Sequence, residues 1–456
     1  MANQIATEIG KIPDYWKVSK LGDVADVLTG FPFKGNEYSM SEGITVVRGE
    51  NLSERSFRWD THKYWKGLTN RIRMYLLEDN VVVLSMDGNV GKNKAVVHAK
   101  DLPMLLAQRV ARVKAKFGTS QTYINQVILS NVFLRYCNSI KTGTAIAHIS
   151  REQIEQFKIP LPPLEEQKAI GKILSDLDLK IELNQHMNKT LESIAQATFK
   201  SWFVDFDPVR AKMAGEPSES ICKRLKLTPD ILDLFPDRLV DSELGKIPEG
   251  WELKKLSDFI DLERGLSYKG KYLSDTGTPM VNLGCISKDS TFIETSIKYY
   301  TGDFKIKHQV SSGDIVIANT DITQKREVLG SPVFVPEIFE NHVFIFTHHL
   351  YAVRFKNEIS KHYIFQLLCT KRYRNRVIGF ATGTTVLAIP EETILSFKFA
   401  EPTFKILSLF HILIDSIYER IKVSEKENNF LEETRDLLLP QLMSGKIRVP
   451  VGDANE

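Results

Sequence analysis

Gly10-Lys11-Ile12-Pro13 is spelled again as Gly245-Lys246-Ile247-Pro248, an offset of 235 residues. The match runs on through Trp16/Trp251, Leu21/Leu256, Asp23/Asp258, Asp26/Asp261, Gly30/Gly265, Lys34/Lys269 and Gly35/Gly270. Twelve of the 26 positions from Gly10 to Gly35 equal their partners, where average residue usage gives roughly one or two by chance. The chain is therefore a tandem duplication. Further on, Asn80-Val-Val-Val-Leu-Ser85 pairs with Asp314-Ile-Val-Ile-Ala-Asn319, and Thr142-Gly143-Thr144 pairs with Thr382-Gly383-Thr384. So long a period describes two domains rather than a solenoid of short repeats. Arg55–Arg73 bears little likeness to its counterpart near Thr291–Lys307.

Inside each copy, short apolar runs sit between turn signals and read as strands: Ile44–Val47, Val81–Leu84, Ala95–Val97 and Val110–Val113, then Ile315–Ala318, Val333–Val335, Val343–Phe346 and Leu350–Val353. Helical spacing predicts one helix over Thr122–Asn138 and another over Ser360–Val377. Each copy reads as an irregular α/β unit.

A long helix follows each unit. Leu161-Pro162-Pro163 stops what precedes it and presets a helix after it. Leu174, Leu177, Ile181, Asn184, Asn188 and Leu191 then follow alternating steps of three and four, the spacing of a coiled-coil seam. The second copy repeats the seam as Ile414, Ile417, Ile421, Ser424, Asn428 and Leu431. A polar layer recurs in mid-seam, Asn184 matching Ser424 and Asn188 matching Asn428, which weakens packing but fixes register. We expect the two helices to pair antiparallel as a spacer. The predicted boundaries are residues 1–163 and 244–402 for the α/β domains, 164–205 and 403–443 for the helices, 206–243 for a linker and 444–456 for a tail.

Composition excludes several classes. The 456 residues are 43% hydrophobic and 26% charged, with a net charge of only +3, so any nucleic-acid role rests on where charge lies, not on its sum. No apolar run reaches the roughly 18 residues of a membrane span, and no signal peptide opens the chain; a cytoplasmic location is expected. Cys137, Cys222, Cys285 and Cys369 are far apart and spell neither a disulfide framework nor a zinc site. Motifs for nucleotide hydrolysis, methyl transfer, serine hydrolysis and zinc proteolysis are missing. A nuclease-like spelling, Asp237 then Glu252-Leu253-Lys254, straddles the linker and the second copy, and Lys17 stands where Glu252 would be in the first. His348-His349 has no acidic neighbour in sequence. We predict no catalytic and no metal-binding residues.

What remains has the character of recognition. Lys92, Asn93 and Lys94 follow the Val81 strand, and Lys325 and Arg326 follow the Ile315 strand. Arg374 and Arg376 precede Thr382-Gly383-Thr384, the counterpart of Thr142-Gly143-Thr144. Lys and Arg beside small-residue turns suit contacts to phosphates and base edges. The stretch Arg48–Arg73, where Arg55, Arg58, Lys63 and Lys66 interleave with Phe57, Trp59, Tyr64 and Trp65, has the same character.

Three motifs then point to a family. Leu161-Pro-Pro-Leu-Glu-Glu-Gln-Lys-Ala-Ile170 opens the first long helix, Phe199-Lys-Ser-Trp-Phe-Val-Asp-Phe206 closes it, and Leu438-Leu-Pro-Gln-Leu-Met-Ser-Gly445 ends the second. With the Gly-Lys-Ile-Pro…Trp start of each repeat, they make the chain resemble the specificity subunit of type I restriction–modification systems, from about residue 8 to residue 450. The resemblance implies that each α/β unit is a target recognition domain reading one half of a bipartite, asymmetric site in double-stranded DNA. It also implies a helical spacer that docks two modification subunits. S-adenosylmethionine would be held by those subunits, and ATP with Mg by the restriction subunits, so that this chain itself binds no cofactor. The competing expectations are a coiled-coil interaction scaffold, which would show no salt-sensitive DNA binding, and a nuclease resting on Glu252.

Overall fold

The computed structural model describes residues 4–7, 10–59, 61–142, 147–321, 326–336, 343–357, 359–383 and 386–450. It divides into two compact units, residues 1–186 with 424–456, and residues 187–423.

The first unit opens with an antiparallel hairpin, Gln4–Thr7 against Gly10–Pro13. Its main sheet has four strands in the order Ala25–Thr29, Val110–Ala115, Val82–Ser85, Lys94–Val96, all antiparallel. A smaller sheet sets Ile44–Val47 between Tyr64–Trp65 and Met104–Leu106. Val82–Ser85 is buried along its whole length, which is why its sequence is a continuous apolar run rather than an alternation.

The second unit repeats the plan. Leu239–Ser242 and Gly245–Pro248 form the opening hairpin, so the duplication reaches upstream of Gly10. The main sheet runs Ile260–Arg264, Leu350–Phe355, Ile315–Ala318, Pro332–Phe334. The smaller sheet has grown to five strands, with Thr278–Val281 and Phe344–Phe346 parallel near its middle. Gly30 and Gly265 hold the same place in both copies because the chain crosses a neighbouring backbone there. A Cβ would lie 2.1 Å from the Ala107 carbonyl in one and 2.3 Å from that of Thr347 in the other.

Three expectations are corrected. The strand register is displaced by one residue. Met86 N–H donates to the Arg109 carbonyl and Asn319 N–H to that of His349, so Ser85 corresponds to Ala318 rather than to Asn319. The helix predicted over Thr122–Asn138 is two helices, Gln121–Leu129 and Asn131–Ile140, and that over Ser360–Val377 is Lys361–Cys369 and Lys371–Gly379. Ser130 and Thr370 break them. Each takes extended dihedrals and caps the following helix, accepting from Phe133 N–H and Tyr373 N–H. Finally, the stretch after Phe203 is no bare connector. Helices Asp207–Met213, Ser218–Leu225 and Pro229–Asp233 bury Val209, Ile221 and Leu232 in the core of the second unit, with Pro208 and Pro229 in first turns that they preset.

The long helices are Leu164–Phe203 and Phe404–Met443, 40 residues each. Within the first unit they run antiparallel: Asp178 meets Arg435 and, further along, Asn184 meets Asn428. Leu174, Ile181, Asn184, Ser424 and Asn428 are buried at the seam, with Leu177 and Leu431 half-buried. The polar layer is bonded across it in part: Asn184 Nδ2 donates to Asn428 Oδ1 at 2.9 Å and to Glu427 Oε2 at 2.8 Å, while the buried Ser424 hydroxyl finds no partner among the described residues. Within the second unit, Ile414, Ile417 and Ile421 are buried among Ala195, Phe199 and Trp202, with Leu191 packed against them and Asn188 half-buried. No helix among the described residues is long and apolar enough to cross a membrane. The four cysteines are unpaired, and burial lifts the Cys137 thiol to about 12.

The two domains are keyed to their helices by different chemistry. In the first unit Gln126 Nε2 donates to Asp178 Oδ2 at 2.9 Å, and Asp178 also takes Arg55 and Arg435. In the second, Gln366 Nε2 donates to the Tyr418 hydroxyl at 3.0 Å, and the His362 ring stacks on Tyr418 with centroids 4.1 Å apart.

Candidate nucleic-acid interface

In each unit three loops converge at one end of the main sheet. In the first they are the segment after Ser85, the turn before Val110 and the hairpin that holds Thr142. The hairpin is closed by reciprocal bonds, Thr142 N–H to the His148 carbonyl and His148 N–H to that of Thr142. Ile149 N–H then donates to the Met86 carbonyl. The second unit repeats this backbone pattern with Thr382, Ala388, Ile389 and Asn319.

Side chains at the matched positions differ. In the first unit Arg109 Nη1 donates to Asp87 Oδ2 at 2.8 Å, and His148 Nδ1 lies 2.5 Å from Asp87 Oδ1. Arg109 is 61% exposed, so most of its guanidinium fork stays open to a ligand. In the second unit the places of Asp87, Arg109 and His148 are taken by Thr320, His349 and Ala388. Thr320 Oγ1 and His349 Nδ1 are 2.8 Å apart. Burial and the neighbouring His348 ring push the His349 imidazole below its usual range, toward the neutral form. An Arg–carboxylate–His cluster offers charged donors and an acceptor. A hydroxyl and a neutral imidazole offer weaker, uncharged ones. The two ends therefore present different hydrogen-bonding groups to a ligand.

The residues singled out from sequence fall into distinct classes. Lys92 is exposed and pairs with Glu54 at 3.3 Å, Asn93 is half-buried in the same loop, and Arg326 is exposed, with Nη1 donating to the Ile378 carbonyl. Thr142, Thr382 and Gly383 lie in the two hairpins; Gly143, Thr144, Lys325 and Thr384 lie outside the described residues. Lys94 is a correction. It is buried, and its ammonium donates to the Ile128 carbonyl at 2.9 Å and reaches that of Ser130 at 3.5 Å. It satisfies carbonyls at the end of helix Gln121–Leu129 and does not reach solvent; burial pulls it down to about 8. Arg374 also turns inward, to Ser331 Oγ at 2.5 Å and the Glu327 carbonyl at 2.8 Å. Arg376 binds the Thr393 carbonyl and Ser396 Oγ.

Around Arg48–Arg73 the rings of Phe57, Trp59, His62 and Tyr64 form a stacked row with centroids 5.2–5.8 Å apart. Arg55 is spent on Asp178, and Lys66 pairs with Glu42. Of the residues noticed only for other reasons, Glu252 and Lys254 pair with each other at 2.8 Å. The His348 and His349 rings are in mutual contact, centroids 4.0 Å apart. Arg109 and His148 escaped the sequence reading because Arg109 merges with the basic residues Arg112 and Lys114 of the strand it precedes and Lys116 just beyond, and His148 has no charged neighbour nearer than Arg151. Their only signal is position: Arg109 has φ of 68° in the turn before a strand.

Residues 13–193 match the sequence profile described as the type I restriction modification DNA specificity domain. Over 97% of this chain and 96% of the relative, the sequence is 25% identical to the type I restriction enzyme MjaIX specificity subunit of Methanocaldococcus jannaschii. It is 26% identical to the HindI specificity subunit of Haemophilus influenzae over 70% of this chain and 76% of that one. Among solved structures, a type I restriction–modification S subunit from M. genitalium covers 94% of this chain and 96% of its own, with 12% identity and a TM-score of 0.49.

Proposed function

Because the chain belongs to the type I restriction–modification DNA specificity family, we propose that it is the subunit that selects the DNA site, each α/β unit reading one half of a bipartite, asymmetric target. The observation that carries this reading is the pair of sheet ends described above, built on one backbone pattern but furnished with Asp87, Arg109 and His148 in one unit and Thr320 and His349 in the other. A duplicated frame with unlike side chains suits two unlike half-sites.

The paired long helices serve as the spacer and as the seat of two modification subunits. Chemistry resides in the partners: S-adenosylmethionine on the modification subunits, ATP and Mg on restriction subunits, and none of these on this chain. The complex works in the cytoplasm, where it meets chromosomal and incoming DNA. The relatives favour this reading over an interaction scaffold.

Mapping N6-methyladenine in DNA from cells carrying this chain and its modification partner tests the proposal. Methylation at two unlike half-sites separated by a fixed gap is expected. Random or absent methylation beside an active partner overturns it. Inserting one heptad into both long helices should widen the gap, and an unchanged gap would refute the spacer role.

A further inference from the structure

The second unit holds a basic cavity apart from the sheet-end cluster. Its volume is about 390 Å³, and its lining includes Lys255, Arg372, Arg376 and Lys398, with Ser396 and Phe397, and no carboxylate. Lys255 and Lys398 are direct partners on paired antiparallel strands, a placement in which like charges repel. Arg372 and Arg376 lie one turn apart on helix Lys371–Gly379, again a like-charged pair.

Partners for these cations are few. Arg376 binds Ser396 Oγ and the Thr393 carbonyl. Glu243, exposed, pairs with Lys398. The Arg372 guanidinium lies 5.5 Å from the Phe397 ring centroid and makes no hydrogen bond or ion pair among the described residues. Burial and the charge of Arg376 make it easier to deprotonate than an ordinary arginine.

The first unit shows that the fold does not require this arrangement. There Lys20 and Lys158 are partners in the same register, but the positions of Arg372 and Arg376 are Val132 and Tyr136. Tyr136 donates to the Gln153 carbonyl at 2.7 Å, and Val132 lies exposed on the helix. The same strand–helix junction is thus built without either guanidinium. Two arginines added to a lysine pair gather positive charge at a net electrostatic cost, which an anion would offset.

We propose that this cavity binds a phosphate group, with the open fork of Arg372 as its bidentate donor and a backbone phosphodiester of the bound DNA as its source. A guanidinium fork matches two phosphate oxygens, and the contact carries no sequence information. The inference rests on the DNA-specificity reading for the source of the phosphate, though not for the chemistry of the site.

The test uses the assembled modification complex and Arg372→Val, which installs the residue of the first unit and keeps the junction that Val132 already occupies. The slope of log affinity against log salt should fall in magnitude by about one, the value for one phosphate contact, with target and unrelated duplexes weakened by the same factor. Val132→Arg in the first unit should raise it. Inorganic pyrophosphate, titrated calorimetrically into the full chain, should lose its binding with Arg372→Val. Loss of pyrophosphate binding with an unchanged DNA slope keeps the phosphate site but overturns DNA as its source. Unchanged slope and unchanged pyrophosphate binding overturn the site. A wild-type complex that fails to distinguish target from unrelated duplex contradicts the DNA-specificity reading instead.

Discussion

Asp178 on the first long helix and Arg435 on the second meet at 3.0 Å, and the same carboxylate takes Arg55 of the α/β domain at 3.1 Å. One acidic group thereby ties together both helices and the domain they carry. Asp178→Ala leaves two largely buried guanidiniums facing each other, and breaking a buried pair in this way costs about 3–5 kcal/mol. Chemical denaturation should show that loss. Tyr418→Phe, at the matching place in the second unit, removes one hydroxyl acceptor and should cost about 1 kcal/mol. Equal losses from the two substitutions would contradict the assignment of the ion network as the stronger key.

Glu182 gives the first unit a pH signature. Hydrogen bonds from His98 and Lys100 hold its carboxyl down at about 2, and the same contact raises the His98 imidazole above its usual range. The carboxylate's contribution is complete above the ordinary value of 4.5 and is lost as pH falls toward 2. The imidazolium's is complete below 6.5 and fades as pH rises through the elevated value. Stability curves against pH should therefore flatten on both flanks in Glu182→Gln. A variant that keeps the wild-type acid flank would show that other groups produce it.

Lys94 separates structure from DNA contact. Lys94→Ala removes the donor to two buried carbonyls and should lower stability by about 1–3 kcal/mol, while the salt slope of DNA binding stays at the wild-type value. Its lowered pKa of about 8 also sets a sign. Between about 8 and the ordinary 10.5 the unfolded chain holds a proton that the folded one lacks, so this lysine makes stability rise with pH there. A drop in the salt slope for the folded variant would return Lys94 to the DNA surface.

Arg109 and His349 occupy equivalent places and should act on different half-sites. Arg109→Ala should relax base preference in one half by about 1–3 kcal/mol and leave the other unchanged; His349→Ala should do the reverse. Methylation profiles across a library randomised in both halves would reveal this. Loss spread evenly over both halves would refute the division of labour.

The parts legible in the sequence are those where one physical signal dominates. The three-four spacing from Leu174 to Leu191 gave the long helices to within a few residues, because an amphipathic seam repeats over many turns. Strands such as Ile315–Ala318 stood out as buried apolar runs between turn residues. The breaks at Ser130 and Thr370 were hidden, since a cap residue inside an apolar-periodic stretch differs from a tolerated helical Ser or Thr only in its backbone dihedrals. Burial misled in the candidate site. Lys94 shares a basic loop with Lys92 yet faces the core, whereas Arg109, before the basic strand of Arg112 and Lys114, faces out, and side-chain direction in a loop leaves no periodic trace.

The hairpins holding Thr142 and Thr382 are fastened to their sheets by the same main-chain bonds at the matched positions, to which the first unit adds the Asp87–His148 side-chain contact. Heritable change can therefore rewrite the side chains there without disturbing those main-chain bonds, and drift in one copy need not be answered in the other. With several alternative versions of each unit, a lineage commands the product of their numbers in distinct targets rather than the sum.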